Sequence, residues 1–274
     1  MIVDAHLHLF RHGYRPASAA GLPSDVDAYE RHMQEHAIEA GLVVCYEGEE
    51  IDPVNNEHVR ALAATRPWIR SVAFLDPQPP SPQRIEKLLD AGHIGIALYL
   101  PDAASATALC RWPSPIWERL NRALAIISLN ARPEAIARLS QVVESASECA
   151  LLFSHLGLPG RDDNATTAEA EKRLEPLLAL SGSRNVGVKV SGLYAIDPVA
   201  PHNGAQPYVE LVLSRFAASN VHWGSDFSPS LEFGSFRGTM AVSGLQGLDE
   251  RERRLLFGEG LMSKIRRAER SRQG

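Results

Sequence analysis

Short runs of apolar residues alternate with longer stretches of mixed apolar and polar positions along the whole chain. The short runs are dense in Val, Ile and Leu and are bounded by Gly, Pro or Asp, the pattern of strands buried on both faces. Eight strands are predicted: Ile2 to His6, Leu42 to Tyr46, Ile69 to Phe74, Ile94 to Leu100, Ala125 to Leu129, Ala150 to Ser154, Val186 to Val190 and Val221 to Trp223. Amphipathic helices are predicted between them. Asp25 to Glu39 follows a capping Ser24 and stops at Gly41, and Pro82 to Ala91 follows Ser81 and ends at Gly92. Pro133 to Glu148, Ala168 to Leu180 and Pro207 to Ala218 are patterned alike, the last with proline at a first helical position.

Alternating strand and helix imply a parallel sheet with right-handed crossovers. Eight such units imply an α/β fold closed into a (β/α)₈ TIM barrel, one domain over residues 1–274, with an open doubly wound sheet as the alternative. The length of 274 residues suits a barrel, which needs roughly 250. The basic tail from Lys264 to Arg272 reads as a terminal helix whose charges suit its C-terminal dipole.

Composition narrows the function classes. A formal charge of −5 argues against nucleic acid or an anionic membrane surface as the partner. No apolar run approaches the roughly 20 residues that span a bilayer. The first strand begins at Ile2 and leaves no room for a leader, so we expect a cytoplasmic protein. Cys45, Cys110 and Cys149 form no metal or disulfide spacing and are expected to be reduced thiols. Asn164-Ala165-Thr166 matches a glycosylation sequon but has no role without secretion. Trp112 and Trp117 either mark an interface of a homo-oligomer or cover the core.

The candidate chemistry lies at strand ends, where catalytic groups of a (β/α)₈ barrel gather. His6 and His8 end the first strand one residue apart, so alternation points both the same way. His155 follows the sixth strand and Asp226 follows the eighth. Taken singly, each has a plain alternative: a chance pair, a core histidine, a helix cap. Converging on one barrel mouth, they form a ligand set for one divalent ion, zinc or similar, leaving a position open for water. Such an ion lowers the pKa of its water to about 7, and Asp226 is placed to take the proton and return it to the leaving group.

Other residues carry weaker signals. Tyr99 and Lys189 lie at strand ends, and Tyr194 and His202 on the loop after the seventh strand, so all four are candidate substrate contacts. Lys189 is unusual in an apolar strand because an unpaired buried ammonium is costly, which calls for a structural partner or a substrate carboxylate. His12 also lies on a loop within reach of substrate. His32, His36 and His58 read as solvent-facing helical residues, His93 as a turn residue and His222 as packing outward from the last strand. The segment Phe227 to Gly247 reads as a lid or as a short helix across the barrel.

Four motifs in register carry a resemblance: Val-Asp-Ala-His-Leu-His, Ser-His-Leu-Gly-Leu-Pro-Gly, Val-Lys-Val-Ser-Gly-Leu-Tyr and Trp-Gly-Ser-Asp-Phe-Ser-Pro. Together they resemble the amidohydrolase superfamily, and more narrowly its amidohydrolase-2 branch of metal-dependent TIM-barrel hydrolases, which includes sugar-lactone and dicarboxylate-lactone hydrolases. The resemblance implies a distorted (β/α)₈ barrel that hydrolyses a lactone, ester or amide in small-molecule catabolism. It implies that His6, His8, His155 and Asp226 carry the chemistry, with a metal held by some members and absent from others. Where relatives place an arginine before Leu-Tyr-Leu to grip a substrate carboxylate, this chain has Ala97. Gly-Leu-Met-Ser also replaces an Asn-Ala pair near the last helix. The alternatives are a metal-dependent decarboxylase of an aromatic or muconate-type acid, and an inactive scaffold. The first of these usually adds a histidine at the seventh strand, where Lys189 and Ser191 stand here.

Overall fold

Each of the eight predicted apolar runs forms a strand, and the strands pair in parallel and in chain order. They are β1 (Ile2–Leu7), β2 (Ile38–Val44), β3 (Ile69–Leu75), β4 (Gly95–Leu100), β5 (Ile126–Ala131), β6 (Ala150–Phe153), β7 (Val186–Val190) and β8 (Val221–Trp223). The computed structural model describes residues 1–14 and 25–271. The predicted Ser24 cap and the tail beyond Ser271 lie outside them. β1 meets the chain just beyond β8: Leu7 bridges Phe227, His8 N–H donates to the Phe227 carbonyl at 2.6 Å, and Asp226 N–H donates to the His6 carbonyl at 2.8 Å. The result is a nearly closed (β/α)₈ barrel.

Helices α1 (Asp25–His36), α2 (Asn55–Ala63), α3 (Pro82–Asp90), α4 (Ala103–Cys110), α5 (Ser114–Arg122), α6 (Pro133–Ile136), α7 (Ser140–Ser145), α8 (Thr167–Leu178) and α9 (Gln206–Arg215) connect the strands. Local signals account for several starts. The Ser81 side chain accepts from Arg84 N–H ahead of Pro82, and Thr166 and Glu169 cap α8 reciprocally. Asp102 and Ser105 form the same box at α4, a helix that the apolar pattern alone passes over. The predicted helix over 133–148 is two short helices, and α1 stops at His36 where Ala37 turns into the left-handed region. Gly41 therefore ends no helix. It sits inside β2, where a Cβ would lie 2.6 Å from Leu7, and so lets β1 and β2 pack closely.

Two apolar clusters organise the interior. One contains Leu7, Leu9, Val43 and Leu98 with the inner faces of the connecting helices, the layer between sheet and helices. The other contains Val3, Ala5, Leu42, Val72, Ala97, Ile126 and Leu152 with Leu261, Ile265 and Ala268 of the terminal helix α12. That helix, Gly260–Arg270, follows the short α11 (Glu250–Arg254), packs on β1, β5 and β8 and plugs the barrel end opposite the strand C-termini. Trp112 and Trp117 are buried against one another and cover the core. The 227–247 segment is a run of short helical turns including α10 (Phe236–Met240), with Phe236 buried against Trp223 and Tyr29. No helix among the described residues is long and apolar enough to cross a membrane.

Candidate active site

The site begins with an irregularity in β1. Along the β1–β2 ladder Asp4 pairs with Gly41 and Leu7 with Val43, so three steps on β1 match two on β2. The extra residue is a β-bulge, which shifts the phase of the alternation. Val3 and Ala5 face the barrel interior below it, and Leu7 and Leu9 face the helices above it. His6 and His8 consequently point into the barrel, on the same side as Val3 and Ala5.

Their ring nitrogens converge with a carboxylate. The two Nε2 atoms lie 3.2 Å apart, and Asp226 Oδ1 is 3.5 Å from His6 Nε2 and 3.6 Å from His8 Nε2. His8 Nδ1 lies 2.7 Å from the Val44 carbonyl, a contact in which the ring donates from Nδ1 and turns Nε2 toward Asp226. His6 Nδ1 lies 3.2 Å from Ser154 Oγ and 3.2 Å from Lys189 Nζ. His6, His8 and Asp226 form a compact group able to hold a metal ion. A second such group, His32, Glu35 and His36, lies on α1, with Glu35 exposed and both histidines half-buried.

His155 stands on the other side of the carboxylate, its Nδ1 3.9 Å from Asp226 Oδ2 and 3.1 Å from Ser191 Oγ. The Tyr194 hydroxyl donates to the same Oδ2 at 2.8 Å, and its ring lies flat on Phe233. His155 and Asp226 both have a φ of 54°, a left-handed conformation costly for residues with a Cβ. Gly192 permits the His155 placement, because a Cβ there would lie 2.3 Å from His155 Nδ1.

The electrostatics keep the carboxylate charged and hold His6 and His155 below the usual histidine range. Burial pushes the Asp226 carboxyl up, but the His155 and His8 imidazoles and the Tyr194 hydroxyl outweigh it and hold the group below the usual carboxylate range. Burial lowers His155 despite Asp226 beside it, and burial with the nearby Lys189 holds His6 well below the usual histidine range. The same burial drives the Lys189 ammonium down to about 7.

Asp226, His8, His155, Tyr99 and Tyr194 line a cavity of about 260 Å³. Lys189 does not line it. Its Nζ sits beneath His6, donating to Ser128 Oγ at 2.7 Å, so its partners are side chains of the barrel interior. His202 also lies outside this cavity: its Nδ1 is 2.7 Å from the Asp197 carbonyl, and it lines a small neighbouring crevice behind Tyr194. His222 does not pack outward. It is the register partner of Lys189, faces the barrel interior, and touches α12 at Gly260. His93 is buried against Ser71, and His32 and His36 are half-buried against Phe236. Phe10, Tyr14, Tyr46, Ile51, Asn130 and Pro229 complete the cavity, none of them singled out from sequence. Tyr46 ends a predicted strand and Asn130 follows another, so the strand-end rule applied to every strand finds both.

The model of the family described as Amidohydrolase matches residues 3–259. The chain belongs to the amidohydrolase family. It is an enzyme of that superfamily, hydrolase in type. No curated protein gives a significant match. Among solved structures, an amidohydrolase from Burkholderia multivorans with bound zinc is similar at 17% identity and a TM-score of 0.76, covering 97% of this chain and 99% of that one. A probable 2-pyrone-4,6-dicarboxylic acid hydrolase from Acinetobacter baumannii, solved with citric acid bound, is similar at 17% identity and a TM-score of 0.71, covering 96% and 98%. At these identities the likeness is one of fold.

Proposed function

We propose that the chain hydrolyses the ring ester of a small lactone, with Asp226 as the general base. The carrying observation is an ionised carboxylate, steered by Tyr194 and flanked by the His8 and His155 imidazoles, on the wall of a cavity open to a small molecule. In this reading Asp226 accepts a proton from water as the water oxygen bonds to the lactone carbonyl carbon. The ring C–O bond then breaks, Asp226 returns the proton to the leaving oxygen, and a hydroxy acid results. His155, neutral through burial, is assigned to the substrate carbonyl.

The donor set fits a divalent ion. Four ligands around zinc at ordinary bond lengths stand roughly 3.4 Å apart, close to the 3.2 to 3.6 Å among His6 Nε2, His8 Nε2 and Asp226 Oδ1. When bound, such an ion supplies Lewis-acid polarisation of the carbonyl. Zinc in the similar B. multivorans structure supports the choice of metal.

A lactone panel read by proton release tests the proposal. Asp226→Asn is expected to lose at least about a thousandfold in kcat with an unchanged circular dichroism spectrum. Dialysis against a chelator is expected to remove activity, and zinc to restore it. Release of CO₂ from aromatic acids with no lactone turnover would overturn the hydrolase reading.

A further inference from the structure

The cavity walls say more about the substrate than the catalytic groups do. Phe10 lies stacked on His8 with ring centroids 5.5 Å apart, and Tyr14 extends that wall at 6.1 Å from Phe10. Tyr46 and Tyr99 form an edge-to-face pair at 4.9 Å, braced from behind by Phe74. The polar groups offered are phenols, the Asn130 amide and imidazoles, around the single Asp226 carboxylate.

No lysine or arginine lines this cavity among the described residues. Lys189 directs its Nζ to Ser128 and His6 instead. Ala97, where the resemblance leads one to expect an arginine, is a buried methyl on the same face of β4 as Tyr99. Among the described residues, a carboxylate entering here meets no guanidinium or ammonium to offset its lost hydration. Flat aromatic walls instead favour a ring they can stack on or meet edge-on. The volume of about 260 Å³ lies just below the range of drug-sized sites, which limits the ligand to one or two rings.

We propose that this site takes an uncharged lactone built on a flat one- or two-ring skeleton, with Tyr46 and Tyr99 as its specificity-determining residues. The inference rests on the lactone-hydrolase reading above. Neither tyrosine is hydrogen-bonded to Asp226 or to the histidines, so their task is recognition.

Two experiments separate the substrate class from the reaction. In the first, kcat/KM is compared for dihydrocoumarin (built on a flat benzene ring, uncharged), 2-pyrone-4,6-dicarboxylate (flat, dianionic) and gluconolactone (no flat ring, uncharged). Dihydrocoumarin is expected to exceed the dicarboxylate at least a hundredfold and gluconolactone at least tenfold. Tyr46→Leu and Tyr99→Leu are each expected to raise KM for dihydrocoumarin about tenfold, with a smaller effect on kcat, and to raise KM for gluconolactone several-fold less. A preference for either competitor overturns the proposal, as does an equal effect of the tyrosine variants on every lactone.

The second experiment measures equilibrium binding to the intact protein without turnover. Its probes are 2-tetralone, in which a methylene replaces the ring oxygen, and benzene-1,3-dicarboxylate. Tighter binding of the ketone by at least a hundredfold supports the proposal even if no lactone is hydrolysed, a result that would sink only the hydrolysis reading. Tighter binding of the dicarboxylate overturns the proposal whatever the enzyme hydrolyses.

Discussion

Tyr194 shows how one side chain gains its role from two neighbours. Phe233 holds its ring flat, with centroids 4.3 Å apart, and its hydroxyl thereby reaches Asp226 Oδ2 at 2.8 Å. A hydrogen bond to a charged group is worth about 1.5–3 kcal/mol. Tyr194→Phe keeps the stacking and removes only that bond, so kcat on a lactone is expected to fall about ten- to a hundredfold while KM changes less. Steady-state kinetics across the same panel check this, and an unchanged kcat would remove Tyr194 from the catalytic geometry. Its neighbour Lys189 illustrates the reverse. The sequence marks it as chemically odd, but only the fold shows that its charge is turned beneath His6, away from the cavity.

Among the elements, β1 and α12 decide whether the site can exist. The bulge in β1 turns both histidines inward, and α12 closes the far end with an apolar, packed interior beneath them. Ile265 lies at 0% exposure in the centre of that plug. Ile265→Ala removes buried methylenes where neighbouring strands cannot collapse, at a cost of about 2–5 kcal/mol. Urea unfolding is expected to show that loss, with activity per folded molecule retained because the plug lies at the end remote from the cavity. Strands were the legible elements, since eight short Val/Ile/Leu runs bounded by turn residues leave little else to form. Helices were less so: α4, with a capping box but almost no amphipathic contrast, escapes a reading based on apolar period.

Across the whole molecule, the barrel is held shut at a buried carboxylate. Asp4 of β1 accepts from its own strand at His6 N–H, from the closing segment at Ser225 N–H, and from α1 at the Tyr29 hydroxyl, each at 2.9 Å. Burial pushes its carboxyl up from 3.8 to about 6 despite those donors. Between these two values the folded state keeps a proton that the unfolded chain has released, so the Asp4 contribution to stability falls as pH rises through the window. Each pKa unit is worth about 1.4 kcal/mol, which makes the fall about 3 kcal/mol. Asp4→Asn keeps the oxygen that serves both amides and offers Tyr29 an N–H, so this variant is expected to lack the fall. Burial lowers His6, His155 and His222, which titrate with the opposite sign, so the test is the difference between wild-type and Asp4→Asn unfolding free energies from pH 4 to pH 7. Parallel curves would show that Asp4 does not set this dependence.

The sequence by itself determined the barrel and the strand ends that carry His6, His8, His155 and Asp226. Strand period, turn residues and the C-terminal-end rule are local or general, and one chain displays them. Tertiary structure decided everything that depends on register and closure. The bulge sets which face of β1 looks inward, because alternation alone places His6 and His8 opposite Val3 and Ala5. Closure places Asp226 across from the pair and draws Tyr14, Tyr46 and Asn130, from three separate parts of the chain, around one cavity. Such contacts join residues far apart in the chain, and only the packed barrel brings them together.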